Sequence, residues 1–240
     1  MIHSHAIIGR GLSGGNILRR YMDFAKFVDL LETGCLKLTR ANKFPDKFEG
    51  SFTPTIKKAI EKAYADNNIK CSYRHFKSEL RNNVYISCWQ NSTKDSMAMW
   101  QLYGQSNCGI AVTTTVPRIH RAIMESKYHN SAYIRRVNYI DHSADPEIDI
   151  QPYSTVFSYK HDAFEYEKEV RIILDRFDLG FNKENNVEVI ALQVDLPHFL
   201  SGIFVSPSAP EWFRELLKKV IKKYAFDFEV ERSQLSMEPI

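Results

Sequence analysis

The residues best suited to chemistry lie in one stretch, Lys160-His161-Asp162-Ala163-Phe164-Glu165-Tyr166-Glu167-Lys168-Glu169-Val170-Arg171-Ile172-Ile173-Leu174. If a strand begins near Glu167, alternation sends Glu167, Glu169 and Arg171 to one face and Val170, Ile172 and Leu174 to the other. Two neighbouring carboxylates repel, which raises the pKa of one, and Arg171 can hold the other ionised. Such a pair suits general-base work or stabilisation of an oxocarbenium ion. A solvated Glu/Arg ladder on an exposed sheet face also fits, and taken alone the stretch favours it. Two further stretches add weight. Tyr85-Ile86-Ser87-Cys88-Trp89 ends a strand with a hydroxyl and an indole, and Met97 to Tyr103 puts Trp100 and Tyr103 three apart on one helical face. Aromatics grouped this way either stack a flat ring or pack into a core.

Other chemistries lack their markers. No GxGxxG, GxxxxGK[ST], GxSxG or HExxH occurs, so Rossmann, P-loop, serine-hydrolase and zincin readings are unsupported. Cys35, Cys71, Cys88 and Cys108 form no CxxC pair and are too sparse for a disulfide scaffold. The eight histidines are dispersed, and His3 and His5 read as part of a frayed end. The first residues carry no basic region followed by a long apolar run, and no stretch nears the roughly 18 apolar residues of a membrane span. The expectation is a cytoplasmic protein with reduced thiols and no membrane association. A net charge of +3 over 240 residues is too small to imply nucleic-acid binding by bulk charge. The distribution is uneven: Asp141 to Glu169 holds eight carboxylates against Lys160 and Lys168, and Arg10 to Lys47 holds eight Lys/Arg against four acids. An acidic edge beside a basic floor suits an anionic substrate, and solvated mixed faces explain the same runs.

The elements that must position these groups read as follows. Asp23 N-caps a helix whose apolar stripe is Phe24, Phe27, Val28, Leu30 and Leu31, with Gly34 as its C-cap and Cys35 to Thr39 as a strand. Thr55 to Leu80 reads as helices, with Ile56, Ile60 and Ala63 inward. Strands follow at Val84 to Trp89, Gly109 to Val116, Tyr133 to Tyr139, Val170 to Leu174, Val187 to Val194, Gly202 to Val205 and Phe226 to Glu231. Helices fall at Ser96 to Tyr103, Arg118 to Ser126, Thr155 to Phe164 and Glu211 to Tyr224. The order lacks a strict βαβ rhythm, so the expected fold class is α+β in a single domain over residues 1–240, with a mixed, mostly antiparallel sheet and flanking helices.

Five stretches together resemble an uncharacterised group of small bacterial and phage-associated proteins. They are Arg20-Tyr21, Phe44-Pro45-Asp46-Lys47-Phe48-Glu49, Ser87-Cys88-Trp89, Met99-Trp100-Gln101-Leu102-Tyr103 with Gly109, and Tyr166-Glu167-Lys168-Glu169-Val170-Arg171. The turn departs from that group's Asn-Asp-Pro-Phe-Glu, with Pro45 for Asn and Lys47 for Pro. The order of parts is also similar to ADP-ribosyltransferases, above all toxins that modify nucleic acid. That resemblance implies a split sheet, with Glu169 as the catalytic carboxylate and Glu167 as the acceptor-orienting one. It further implies Arg20, Tyr21, Trp100, Tyr103 and Arg171 as contacts to NAD, and Ser87 as a brace for the glutamate. NAD would be the substrate, no metal would be needed, and the acceptor would be nucleic acid or protein in a toxin or phage-defence setting.

Two other classes stand beside this one. A binding module without chemistry would use Lys57, Lys58, Lys62, Arg118, Arg121, Arg135 and Arg136 for phosphates and Trp89 or Trp100 for stacking. A metal-dependent nuclease would be built on Asp46, Glu49, Glu167 and Glu169.

Overall fold

The computed structural model describes residues 5–67, 71–104, 107–126, 128, 131–177 and 185–236. His3 therefore lies outside the described residues. The early elements are β1 (His5–Ile8), β2 (Ile17–Met22), α1 (Phe24–Thr33), β3 (Cys35–Arg40), α2 (Pro54–Asp66), α3 (Tyr73–Asn83) and β4 (Val84–Asn91). Then come α4 (Met97–Met99), which runs into a π turn at Trp100–Gly104, β5 (Ile110–Thr115), α5 (Val116–Glu125), β6 (Ser131–Arg136) and β7 (Asn138–Ile140). The last are β8 (Tyr159–His161), β9 (Glu169–Asp175), β10 (Val189–Gln193), α6 (Leu196–Phe199), β11 (Gly202–Val205), α7 (Glu211–Lys223) and β12 (Val230–Arg232). The class is α+β with mixed pairing. Two compact units divide the chain, with three of the five boundaries falling inside β3, β4 and β10.

The first unit comprises Met1–Arg10, Lys37–Cys88 and His129–Ile190. In it β1 pairs parallel with β6, β6 antiparallel with β9, and β3 antiparallel with β4, while β9 lies beside β4. Its core gathers Phe52, Phe76, Leu80, Val84, Ile86, Val156, Phe157 and Ile173. Pro54 opens α2, and Ile56 and Ile60 pack on that core while Lys57, Lys58 and Lys62 face water. Gly50 is required where it stands: φ is +68°, and a Cβ there would come within 2.6 Å of the Phe157 ring.

The second unit comprises Gly11–Leu36, Trp89–Tyr128 and Ala191–Ile240. Here β2 pairs antiparallel with β5, β5 antiparallel with β11, and β11 parallel with β12. The expected capping of α1 holds: Asp23 Oδ1 accepts the Lys26 N–H at 2.8 Å, and Gly34 takes φ 59° as its N–H reaches the Leu30 carbonyl. Tyr21, Met99, Trp100 and Ala111 form a core cluster on this sheet.

Several element boundaries differ from expectation. The helix expected over Thr155 to Phe164 is instead two 3-10 segments, Tyr153–Ser158 and Asp162–Glu167, separated by β8. Serines and threonines favour helix interiors weakly, and parallel pairing of β8 with β7 captures the residues between. The strand expected over Tyr133 to Tyr139 is divided at Val137 into β6 and β7, although the Val137 N–H still extends the β6–β9 register by donating to the Glu169 carbonyl at 2.9 Å. The closing strand is shorter, Val230–Arg232. Among the described residues, no helix is long and apolar enough to cross a membrane.

Candidate functional site

The residues that join Glu167, Glu169 and Arg171 all belong to the first unit. β9 begins at Glu169 rather than Glu167, and its seven residues are all buried, so the solvated ladder is not what forms. Glu167 instead ends the 3-10 segment before β9. Lys168 then adopts a left-handed conformation, φ 46°, which turns the chain so that Glu167 and Glu169 reach one ammonium. That ammonium is Lys160 on β8, donating to Glu167 Oε2 and, at 2.8 Å, to Glu169 Oε1. Arg171 Nε donates to Glu169 Oε2 at 2.5 Å, confirming that residues 169 and 171 share a face. The same guanidinium binds both oxygens of Glu49 and donates through Nη1 to the Phe157 carbonyl at 2.7 Å. Tyr139 completes the shell, its hydroxyl oxygen accepting the Glu169 N–H at 2.8 Å.

Burial acts alike on the two carboxyls, and the groups around them set them apart. It pushes Glu167, 1% exposed, up to about 7, helped by the neighbouring Glu169 and opposed by Lys160. Burial pushes Glu169 up as well, but Arg171, a hydrogen bond from Glu167 and Lys160 outweigh it and hold Glu169 well below the usual carboxylate range. Cys88 on β4 faces the same cluster, its thiol raised by burial and by Glu169. By alternation along β4, the buried Ser87 falls on the face opposite Cys88.

These shifts fix a pH dependence. The folded state holds the Glu167 proton more tightly than the unfolded chain, so the resulting stability is complete below the ordinary value of 4.5 and is lost as pH rises toward about 7. Glu169 acts oppositely: its stabilisation is present above 4.5 and disappears as pH falls toward its depressed value. The urea midpoint of the wild type should drop between about pH 5 and about pH 8, and Glu167→Gln should flatten that drop. An equal drop in both proteins would remove Glu167 as its source.

Other expected site residues have different places. Arg171 is wholly buried, so it is a hub between Glu49 and Glu169 and does not contact a cofactor. In the second unit Tyr21 is buried, its hydroxyl donating to Gln90 Oε1 at 3.0 Å and accepting the Ser96 N–H at 3.2 Å. Trp100, 3% exposed, packs edge-on to Tyr21 with ring centroids 4.8 Å apart. Tyr21 and Trp100 thus come together as core, not as a surface for a nicotinamide. Tyr103 keeps 40% of its surface exposed, and the half-buried Arg20 lies 5.9 Å from the Trp89 ring centre.

Each rival reading loses some of its parts. Trp89 and Trp100 are both buried, which removes the stacking platforms of the binding module. Asp46 spends Oδ1 on the Phe48 N–H at 2.8 Å, and Glu49, Glu167 and Glu169 bind cationic side chains where a nuclease would place divalent ions. Among the described residues, no three His, Cys, Asp or Glu are placed to hold a metal.

Sequence reasoning assigned no role to Lys160, although a lone lysine ahead of Asp162, Glu165, Glu167 and Glu169 is a signal for a shared counter-ion. It also missed Arg19, the buried residue of the Arg19-Arg20 pair, which is ion-paired to the buried Asp95 and lies 5.1 Å from the Phe204 ring centre. Ser233 Oγ donates to the same Asp95, at Oδ2.

No curated protein and no solved structure matches the chain. Residues 99–172, less than half of the chain, are similar to a family described as a protein of unknown function (DUF2971); that span opens on Met99-Trp100 and closes on Glu169, Arg171 and Ile172.

Proposed function

We propose that the protein breaks the N-glycosidic bond of NAD and transfers ADP-ribose to a macromolecular acceptor, nucleic acid or protein. Glu169 is the carboxylate that stabilises the ribosyl cation, and Glu167 serves the acceptor. One observation supports this reading above others: two carboxyls on one ammonium are driven apart, Glu169 held as an anion and Glu167 titrating near neutrality.

The reaction uses both states. As the bond from ribose C1′ to the nicotinamide nitrogen breaks, its electron pair leaves with nicotinamide and positive charge develops on C1′ and the ring oxygen. A carboxylate kept ionised beside that charge lowers the barrier without reorganising. The acceptor atom then bonds to C1′ and releases a proton, which ionised Glu167 accepts. Lys160 occupies Glu169 Oε1 in the closed cluster, so a ribose hydroxyl must take its place there.

The test is nicotinamide release from NAD by the purified protein with DNA, RNA or protein pools. Glu169→Gln, whose amide oxygen still accepts from Arg171 or Lys160, should remain folded and release nicotinamide about a hundredfold to a thousandfold more slowly. Unchanged release by a folded variant would overturn the assignment.

A further inference from the structure

Between β8 and β9, Asp162–Glu167 forms one short 3-10 segment with Asp162, Ala163, Glu165 and Tyr166 exposed. Phe164 and Glu167 turn inward, and both rest on the ammonium of Lys160. The Phe164 ring centre is 4.4 Å from Nζ, and Glu167 Oε2 accepts from the same Nζ. Lys160 in turn covers Glu169 Oε1. The segment's near end is fixed by His161, whose Nδ1 accepts the Ala163 N–H at 3.2 Å, and its far end by the left-handed Lys168.

The charge count under this segment is odd. Facing Glu167 are Lys160 from β8, Glu169 from β9, Tyr139 from β7 and Tyr166 from the segment itself, and through Glu169 the cluster continues to Arg171 on β9, Glu49 from the turn before α2 and Cys88 on β4. Three carboxyls meet two fixed cations. The charges balance when Glu167 carries a proton and leave one uncompensated buried anion when it does not, which a low-dielectric surrounding penalises. Glu49 is clamped at both oxygens by Arg171, and Glu169 is clamped at both by Arg171 and Lys160. Glu167 alone of the three ends a short segment whose other residues are mostly exposed.

We propose that Asp162–Glu167 is a lid over Glu169, held closed while Glu167 is protonated and shares Lys160 with Glu169, and that loss of this proton, which sets two carboxylate anions against one ammonium, loosens the lid and uncovers Lys160 and Glu169 Oε1. Its role as a gate for the ribose rests on the NAD reading above; the lid and latch do not. Titration of Glu167 at about 7 places the release in the physiological range.

Amide hydrogen exchange over residues 160–169 of the full chain tests this without NAD. After correction for intrinsic rates, opening of the wild-type segment should be level below about pH 6 and rise up to about tenfold per pH unit above about pH 7. Glu167→Gln, which keeps an acceptor for Lys160 but cannot ionise, should stay protected throughout. Phe164→Ala, with the latch intact and the ring gone, should open more at every pH and keep the wild-type pH dependence. Wild-type opening that does not change with pH, or a Glu167→Gln profile that follows the wild type, overturns the proposal. Failure of nicotinamide release with these exchange profiles intact would overturn the NAD reading alone.

Discussion

Arg171→Met should cost about 3 to 5 kcal/mol of folding stability, the toll of leaving buried carboxylates without their counter-ion. Glu49 and Glu169 both depend on this guanidinium, and neither can reach water: their side chains are 1% and 7% exposed. Methionine matches much of the volume, so the loss reads charge and not packing. Arg171→Lys should recover little, because one ammonium cannot bind two carboxylates and the Phe157 carbonyl in the fork geometry Nε, Nη1 and Nη2 provide. Adding Glu49→Gln to Arg171→Met should restore part of the loss, since it removes one of the two stranded charges. Urea midpoints followed by circular dichroism measure all three. A loss below about 1 kcal/mol for Arg171→Met would place the cluster in water, where exposed pairs contribute that little, and would undo the charge argument for Glu167 too.

The legible part of this molecule was what local rules govern. Asp23 and Gly34 marked both ends of α1 because capping is decided by a few adjacent residues. The shared face of Glu169 and Arg171 followed from strand alternation. What escaped was set by distant partners. Nothing near Arg171 in the chain announces Glu49, 122 positions away, and that pairing turns an apparent surface ladder into a buried hub. The 3-10 segments around β8 depend on β7, so a helical pattern there misled. Choosing between Arg19 and Arg20 needed the register of β2 against β5, which opposes Arg19 to Thr113 and Arg20 to Val112. Aromatic spacing at Trp100 and Tyr103 was read without the π turn, which buries one ring and leaves the other exposed.

Trp100→Ala separates the two meanings of that aromatic pair. As a core residue Trp100 should cost about 3 to 5 kcal/mol when truncated, since its ring fills the space beside Tyr21 and Met99 on the β2–β5 sheet. The ring also explains a glycine: a Cβ on Gly104 would come within 3.2 Å of Trp100 Cε3, so Gly104→Ala should strain the wild type and be better tolerated once the indole is gone. Trp100→Phe isolates the polar contribution. Among the described residues the buried indole N–H has no acceptor, so replacing it forfeits no hydrogen bond to them and the remaining cost is that of lost volume. Phenylalanine should therefore retain most of the stability that alanine loses. A ring needed only to stack a nicotinamide would behave in the opposite way, with alanine nearly neutral for folding and damaging only to turnover. Thermal unfolding of the three variants, read beside nicotinamide release at a temperature where each is folded, tells these apart, because a core role moves the midpoint before it moves the rate.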